Sequence, residues 1–303
     1  MGFLYYLENI RIPVLNEFML GITYLGDEIA FLAVALILIW CADKRTGYYV
    51  LSVGFLGTIA NQFMKLWFRI PRPWVLDENF TILEQAREGA SGYSFPSGHT
   101  QSAVGTFGAI GYTTKNKVIR WLCIASVLLV PFSRMYIGVH TPLDVGVAAV
   151  MAVILIVALK PLILGKNRRV FPVFLGIMVA VSVAFLCFVE CYTFPSNIDP
   201  HNMESGLKNA YTLLGSILGM IVVYIVDEKW LHFPTEAVWW AQIIKVAVGL
   251  GLVLAVKSGL KAPIEGLLGN LIGRSIRYFF IVLVAGVLWP LTLRWFAKHG
   301  KKE

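Results

Sequence analysis

The chain has 303 residues, of which 57% are hydrophobic and 15% charged, and its formal net charge is +8. Soluble globular proteins carry about 25% charged residues, so this composition excludes a soluble domain, a disordered chain, a disulfide scaffold and a nucleic-acid-binding domain. Because a membrane-spanning helix needs about 20 residues, the hydrophobic residues suffice for about eight or nine spans. The sequence predicts an all-α, polytopic transmembrane helical bundle, whose cytoplasmic loops hold most of the excess Lys and Arg.

The first 27 residues are predicted to form an interfacial amphipathic segment rather than a span. Apolar residues recur at helical spacing between Leu4 and Ile22, and charged residues such as Glu8 and Arg11 lie between them. Pro13 interrupts this pattern. A helix with one apolar and one polar face lies in the plane of the membrane interface.

Nine apolar stretches follow, and each is predicted to form a transmembrane helix. They lie at about 28–41, 47–68, 97–114, 118–138, 142–164, 170–189, 206–226, 237–256 and 275–296. A long polar segment, 69–96, separates the second span from the third. A Gly-rich stretch, 257–273, is expected to be a loop or a partly buried re-entrant piece.

The charges of the loops predict the orientation of the chain. The turns after spans 1, 3 and 5 share one side of the membrane, and they contain Lys44, Arg45, Lys115, Lys117, Arg120, Lys160, Lys166, Arg168 and Arg169. The C-terminal tail, with Lys298, Lys301 and Lys302, reaches the same side after nine spans. Because Lys and Arg accumulate in cytoplasmic loops, we expect this side, and the C-terminus, to be cytoplasmic.

Three sequence clusters contain polar residues that are unusual in a membrane protein. They are Lys65-x6-Arg72-Pro73 at the end of span 2, Pro96-Ser97-Gly98-His99 at the start of span 3, and Ser133-Arg134-x5-His140-x3-Asp144 across the end of span 4 and the start of span 5. Counting spans places all three at the same, non-cytoplasmic face. The topology is therefore expected to bring together clusters that are far apart in sequence.

The basic residues of these clusters are predicted to bind an anion. Lys65, Arg72 and Arg134 form a cationic group, and guanidinium groups suit phosphate oxygens in bidentate geometry. Ser97 is a natural N-cap and Gly98 allows close backbone approach, so the N-terminus of span 3 offers N–H groups to the same anion. Two alternatives stay open: Lys65 only extends to the membrane interface, or Ser97 only caps its helix.

His140, His99 and Asp144 are the candidate catalytic residues. Thr141 and Pro142 are typical of the N-cap and first position of a helix. Asp144 can then reach one imidazole nitrogen of His140 and leave the other nucleophilic. We expect His140 to attack phosphorus and form a phosphohistidine, while protonated His99 donates to the leaving oxygen. The cations replace a metal ion, so no metal or other cofactor is predicted. Alternatively, Asp144 is only a capping acid.

Taken together, the three clusters resemble the tripartite signature of the type 2 phosphatidic acid phosphatase (PAP2) superfamily, with every expected position filled in the expected order. The resemblance implies a helical bundle whose core helices form the site. It also implies that His140 is the nucleophile, Asp144 its orienting residue and His99 the acid. On this basis we divide the chain into the N-terminal segment 1–27, a PAP2-like catalytic core at 28–164 and additional transmembrane helices of unknown role at 165–303.

The leading hypothesis is a membrane phosphatase that hydrolyses a phosphomonoester or pyrophosphate of a lipid. Undecaprenyl pyrophosphate, phosphatidylglycerophosphate and phosphatidate are all plausible substrates, and the site is expected at the extracytoplasmic face of a bacterial plasma membrane. The expected partners are this lipid and the bilayer, without nucleic acid, and the oligomeric state is left open. One alternative is a phosphatase of a soluble sugar phosphate, similar to glucose-6-phosphatase. The other is a non-catalytic carrier of a lipid or an anion.

Overall fold

A computed structural model describes residues 1–90 and 92–298 of the chain. All regular elements in these ranges are helical, which confirms the all-α prediction. The α-helices are α1 (Gly2–Asn9), α2 (Pro13–Thr23), α3 (Glu28–Cys41), α4 (Lys44–Phe68), α5 (Pro73–Leu76), α6 (Gly98–Thr113), α7 (Lys117–Tyr136), α8 (Pro142–Leu164), α9 (Val170–Cys191), α10 (Pro200–Val226), α11 (Trp239–Gly259), α12 (Lys261–Leu268), α13 (Asn270–Leu283) and α14 (Trp289–Lys298). A 3-10 turn at Tyr24–Gly26 follows α2, and π-helical turns follow α10 and α13. Lys301 and Lys302, used above to predict orientation, lie outside the described residues.

The described residues contain six helices that are long and apolar enough to cross a membrane. They are Lys117–Tyr136, Pro142–Leu164, Val170–Cys191, Pro200–Leu231, Trp239–Leu268 and Asn270–Lys298. A seventh span arises if Pro13–Gly26 and Glu28–Cys41, which meet at a bend of 55°, are counted as one. The chain is therefore a multi-pass membrane protein, but the predicted count of nine is not confirmed. The predicted spans at α4 and α6 fall outside this set, and α6 has only 16 residues.

The N-terminal segment forms two short helices rather than one amphipathic helix. α1 ends at Asn9 and α2 begins at Pro13, so the chain breaks where the proline predicts it. Leu4 and Leu7 are buried, whereas Val14 is exposed. The predicted apolar face does not continue into α2, because the non-helical residues 10–12 interrupt the helical period. The interfacial position of this segment stays a prediction.

The chain divides into two compact units, and the first contains all three sequence clusters. It comprises Met1–Leu32, Tyr49–Pro161 and Thr193–Gly206. Within it, α6 packs along α7, and α2 and the 3-10 turn at Tyr24–Gly26 also contact α7. Arg11 ties the N-terminal segment to this unit, since Nε donates to the carbonyl of Tyr136 at 3.0 Å and Nη1 to the carbonyl of Thr81 at 2.9 Å.

The second unit comprises Ala33–Tyr48, Leu162–Tyr192 and Leu207–Glu303, and it corrects one prediction. The stretch 257–273 is helical except for a turn at Leu260 and a break at Gly269, whose φ is +81°. Helices α12 and α13 pack closely here because Gly273 has no side chain. A Cβ at this position would lie 2.8 Å from the Cα of Glu265. The glycines therefore serve helix packing as well as a turn, which composition alone does not reveal. The domain boundaries predicted after residues 27 and 164 stay predictions.

Candidate active site

The three sequence clusters meet in the first unit. Most of the predicted site residues are buried although they are polar or charged, namely Lys65, Arg72, Ser97, Arg134, His140 and Asp144. Nη1 of Arg72 lies 2.9 Å from Nε2 of His140, and the backbone N–H of Ser97 donates to the carbonyl of Asp144 at 3.1 Å. These two contacts join the first and second clusters to the third. Buried ionisable groups in a membrane protein are costly, so such a group indicates a functional site.

The turn before His140 depends on a glycine. Gly138 has a φ of +88°, a conformation that side chains other than hydrogen disfavour. A Cβ at this position would also lie 2.8 Å from Nη2 of Arg11. After this turn, the backbone N–H of Val139 donates to the carbonyl of Arg134 at 3.1 Å. The turn thus brings His140 back beside the end of α7.

Asp144 both caps α8 and faces His140. Its Oδ2 accepts from the backbone N–H of Thr141 at 2.7 Å, and its own N–H donates to Oγ1 of Thr141 at 3.2 Å. Pro142 is the first residue of α8, as the sequence predicts. The same Oδ2 lies 3.5 Å from Nδ1 of His140. The geometry allows this one carboxylate both to cap the helix and to orient His140.

Ser94, which lies outside the three sequence clusters, bridges Asp144 and His140. Its buried hydroxyl donates to Oδ2 of Asp144 at 2.5 Å, and its Oγ lies 3.3 Å from Nδ1 of His140. Because its proton goes to Asp144, Oγ can accept the Nδ1 proton. The hydroxyl therefore gives the carboxylate a hydrogen-bonded link to the imidazole, beside the direct approach at 3.5 Å. The only signal in the sequence is a hydroxyl residue two positions before Pro96, which is too common to be diagnostic.

The tautomer of His140 follows from its contact with Arg72. A guanidinium group can only donate hydrogen bonds, so Nε2 of His140 accepts from Arg72 at 2.9 Å. The imidazole proton then belongs on Nδ1, next to Ser94 and Asp144. This assignment leaves the lone pair on Nε2, on the side of the cations.

The three cations are held in place by neutral oxygen atoms. Nζ of Lys65 donates to the carbonyl of Tyr93 at 2.5 Å, and Nη1 of Arg72 to the carbonyl of Val139 at 2.9 Å. Nη1 of Arg134 donates to Oγ1 of Thr23 at 2.7 Å, while its buried Nε has no hydrogen-bond partner within residues 1–90 and 92–298. Neutral partners fix these side chains without cancelling their charge. The group therefore retains a strong preference for an anion.

Electrostatics keep His140 in its neutral form. Burial holds the pKa of His140 well below its usual range, and the positive charges around it act in the same direction. Those charges belong to Arg72, Arg134, Lys65 and His99. Burial also lowers the pKa of Arg72 to about 10, which leaves its guanidinium charged at neutral pH. A neutral imidazole beside charged guanidinium groups is the arrangement that a nucleophile for a phosphate group needs.

The second cluster forms the N-terminus of α6. Ser97 is the N-cap, and its Oγ accepts from the backbone N–H of Thr100 at 3.3 Å. Gly98 is the first residue of the helix, and the Nδ2 of Asn61 donates to the carbonyl of Pro96 at 3.2 Å, which holds the preceding turn. Capping by Ser97 is thus observed. Phosphate binding by Ser97 and Gly98 stays a prediction.

His99 has a neighbour that the sequence did not indicate, whereas Ser133 bonds within its own helix, which is one of the roles its position allows. Nε2 of His99 lies 2.7 Å from Oδ1 of Asp27, which belongs to the N-terminal segment. Oγ of Ser133 donates to the carbonyl of Val130 at 2.7 Å, inside its own helix. Within residues 1–90 and 92–298, no group of three or more His, Cys, Asp or Glu side chains is arranged to hold a metal ion.

Two regions of the chain match described families. Residues 45–169 match the PAP2 superfamily, and residues 211–301 match the transmembrane extension of PAP2 superfamily phosphatases. The first region contains all of the predicted site residues. The second region lies in the C-terminal half, for which the sequence motifs predicted no role.

The chain is also similar to curated phosphatases. It is 33% identical to undecaprenyl-diphosphatase BcrC of Bacillus subtilis (strain 168) over 148 residues, which cover 47% of this chain and 72% of that protein. It is 34% identical to phosphatidylglycerophosphatase B of the same organism over 151 residues, or 45% of this chain and 69% of that protein. An undecaprenyl-diphosphatase of Sulfolobus acidocaldarius is 28% identical over 137 residues, or 45% of this chain and 64% of that protein. No solved structure matches the chain significantly.

Proposed function

Because the chain belongs to the PAP2 superfamily and is a phosphoric ester hydrolase, we propose that it removes the terminal phosphate of a lipid phosphate or lipid diphosphate. The observation that supports this most directly is the contact of Nε2 of His140 with Arg72 at 2.9 Å. It supports a neutral imidazole whose Nε2 faces the cations proposed to hold the phosphate group. The similarity to undecaprenyl-diphosphatases and to a phosphatidylglycerophosphatase supports a lipid phosphate or lipid diphosphate as the substrate class.

In the first proposed step, Nη1 of Arg72 exchanges its hydrogen bond to Nε2 of His140 for one to a phosphate oxygen, and the freed lone pair of Nε2 attacks phosphorus. A nitrogen–phosphorus bond forms, the bond from phosphorus to the leaving oxygen breaks, and that oxygen takes a proton from His99. Lys65, Arg72 and Arg134 stabilise the negative charge on the phosphoryl oxygens, together with the backbone N–H groups at the start of α6. Preorganised donors of this kind are the largest contribution in many enzymes because they need no rearrangement during the reaction.

In the second step, water releases the phosphate. His99, now neutral, accepts a proton from water as the oxygen attacks phosphorus, and the nitrogen–phosphorus bond breaks. The products are inorganic phosphate and the original histidines. Fixed cations supply the charge stabilisation that a metal ion provides elsewhere, so we propose that no metal takes part.

The site is proposed to face the extracytoplasmic side. Helix α7 has 20 residues, so it is about 30 Å long. Lys117 and Arg120 lie at its start and Arg134 lies in its last turn. If basic loop residues mark the cytoplasmic side, Arg134 and the rest of the site lie at the other face, where a lipid headgroup can reach them while its tail stays in the bilayer.

A phosphate-release assay tests this function. The purified protein would be given undecaprenyl diphosphate, short-chain phosphatidylglycerophosphate, short-chain phosphatidate and glucose 6-phosphate, with the His140→Ala protein as blank. We expect release from at least one lipid and none with the variant. Release from the sugar phosphate alone would support the soluble-substrate alternative. Full biological activity of His140→Ala would support a carrier instead.

A further inference from the structure

We propose that Asp27 is a positioning residue for His99, the acid of the proposed reaction. The inference rests on the proposed function. Its basis is the contact of Oδ1 of Asp27 with Nε2 of His99 at 2.7 Å, between side chains that are 39% and 23% exposed. Asp27 lies outside the three sequence clusters and outside the region 45–169 that matches the PAP2 superfamily. The site thus gains a residue from the N-terminal segment.

The position of Asp27 is fixed by close packing of the turn before it. Gly26 is buried, and a Cβ there would lie 2.8 Å from the carbonyl oxygen of His99, 2.9 Å from its Cβ and 3.0 Å from Cγ1 of Val130. Only glycine therefore lets this turn lie against the first residues of α6. The turn also stands at the 55° bend between the helices before and after it. The contact of Asp27 with His99 is thus built into the packing of the chain.

A second contact from the same turn reaches another site residue. Oγ1 of Thr23 accepts from Nη1 of Arg134 at 2.7 Å, and both side chains are buried. Thr23 and Asp27 are four residues apart, on either side of the 3-10 turn. One short segment therefore contacts both a proposed phosphate-binding residue and the proposed acid. This second observation is independent of the His99 contact.

A carboxylate at this place has two physical effects on His99. It fixes the orientation of the ring through a charge-assisted hydrogen bond at Nε2. It also raises the pKa of His99 and so favours the protonated imidazole, against burial above all and the nearby positive charges of Arg134 and Arg72, which lower this pKa. With Nε2–H held by Asp27, the proton for the leaving oxygen comes from Nδ1, and His99 keeps its bond to Asp27 throughout. Each histidine of the site then has its own carboxylate.

Leaving-group dependence separates this role from a structural one. A general acid matters for a poor leaving group such as the alkoxide of a lipid alcohol, and much less for p-nitrophenolate, which leaves without a proton. We would compare kcat/KM of full-length Asp27→Asn on dioctanoyl phosphatidate and on p-nitrophenyl phosphate, because this ratio covers only the steps up to phosphohistidine formation and excludes the second step, in which His99 acts as a base for both substrates. The exposed neighbouring carboxylate gives a matched control, Glu28→Gln.

We expect Asp27→Asn to lower kcat/KM on phosphatidate by about 10- to 100-fold and to lower kcat/KM on p-nitrophenyl phosphate much less. His99→Ala should show the same selectivity, the double variant should be no worse than His99→Ala, and Asp27→Glu should recover part of the activity. Equal losses on both substrates, or unchanged activity, would overturn the inference. Activity of His140→Ala on phosphatidate would instead refute the proposed function, so the two failures are distinguishable.

Discussion

Nη1 of Arg72 lies 2.9 Å from Nε2 of His140, so the first and third sequence clusters meet at the nitrogen proposed to attack phosphorus. The same Nη1 donates to the carbonyl of Val139 at 2.9 Å, which ties Arg72 to the turn that presents His140. Nε of Arg72 donates to the carbonyl of Gly92 at 3.0 Å. The planar guanidinium group therefore reaches three partners in fixed directions, and a lysine cannot do so.

The first prediction concerns this geometry. Arg72→Lys keeps the positive charge but removes the planar guanidinium group with its several N–H donors. We therefore expect kcat on a lipid phosphate to fall by about 100-fold or more. Arg69→Lys is the control, because Nη1 of Arg69 donates to the carbonyl of Leu66 within one helical turn. Steady-state phosphate release in detergent measures both. Comparable activity of the two variants would show that charge alone is sufficient at position 72.

The second prediction concerns Ser94. If its hydroxyl transmits the effect of Asp144 to His140, Ser94→Ala should lower kcat by about 10-fold, as expected for loss of one hydrogen bond of about 1.4 kcal/mol. In an Asp144→Asn background the same change should have a smaller effect, because the two residues act in one chain of hydrogen bonds. Ser126→Ala, which removes a hydroxyl bonded inside α7, is the control. Full additivity would rule out the bridging role.

The third prediction is a pH dependence. Neutral His140 is the proposed nucleophile, and its pKa lies well below its usual range. Activity should therefore persist as the pH falls below about 6.5, the usual pKa of histidine, and be lost only at a lower pH. Lys65→Met removes one of the charges that depress this pKa, so the acidic limb of kcat/KM should move to higher pH. A limb that stays in place would show that another group controls it.

The fourth prediction concerns inhibitors. Orthovanadate adopts five-coordinate geometry and resembles the proposed transition state, so it should inhibit at concentrations well below those at which phosphate does. It should also raise the thermal unfolding midpoint of the protein, but not that of Arg72→Lys to the same extent. EDTA should leave activity unchanged. Strict dependence on a divalent cation would refute the metal-free scheme.

The fifth prediction concerns the turn before His140. Gly138→Ala places a side chain at a φ of +88° and close to Arg11, so we expect the free energy of unfolding to fall by about 1–3 kcal/mol. The thermal unfolding midpoint, measured together with activity, tests this. Gly146→Ala is the matched control, since a Cβ there meets nothing within 4 Å. An equal effect of both changes would contradict a conformational requirement at position 138.

Composition and motif spacing are sufficient to predict the membrane class, the family and the local structure at the motifs. The composition shows that the chain has too few charged residues to cover the surface of a soluble protein. Helix ends depend on neighbouring residues, so α6 and α8 begin at Gly98 and Pro142 as predicted. The residue types at the three clusters likewise indicate phosphate chemistry without coordinates.

The residues that support the two histidines can be identified only from the folded chain. Ser94 reaches Asp144 across 50 residues and Asp27 reaches His99 across 72, and no periodicity or spacing rule links positions so far apart. The helical form of 257–273 could not be predicted for a similar reason. Gly273 allows a close contact between two helices and does not mark a loop. A hydrogen bond or a packing contact depends on distance in space, which one sequence encodes only through the complete fold.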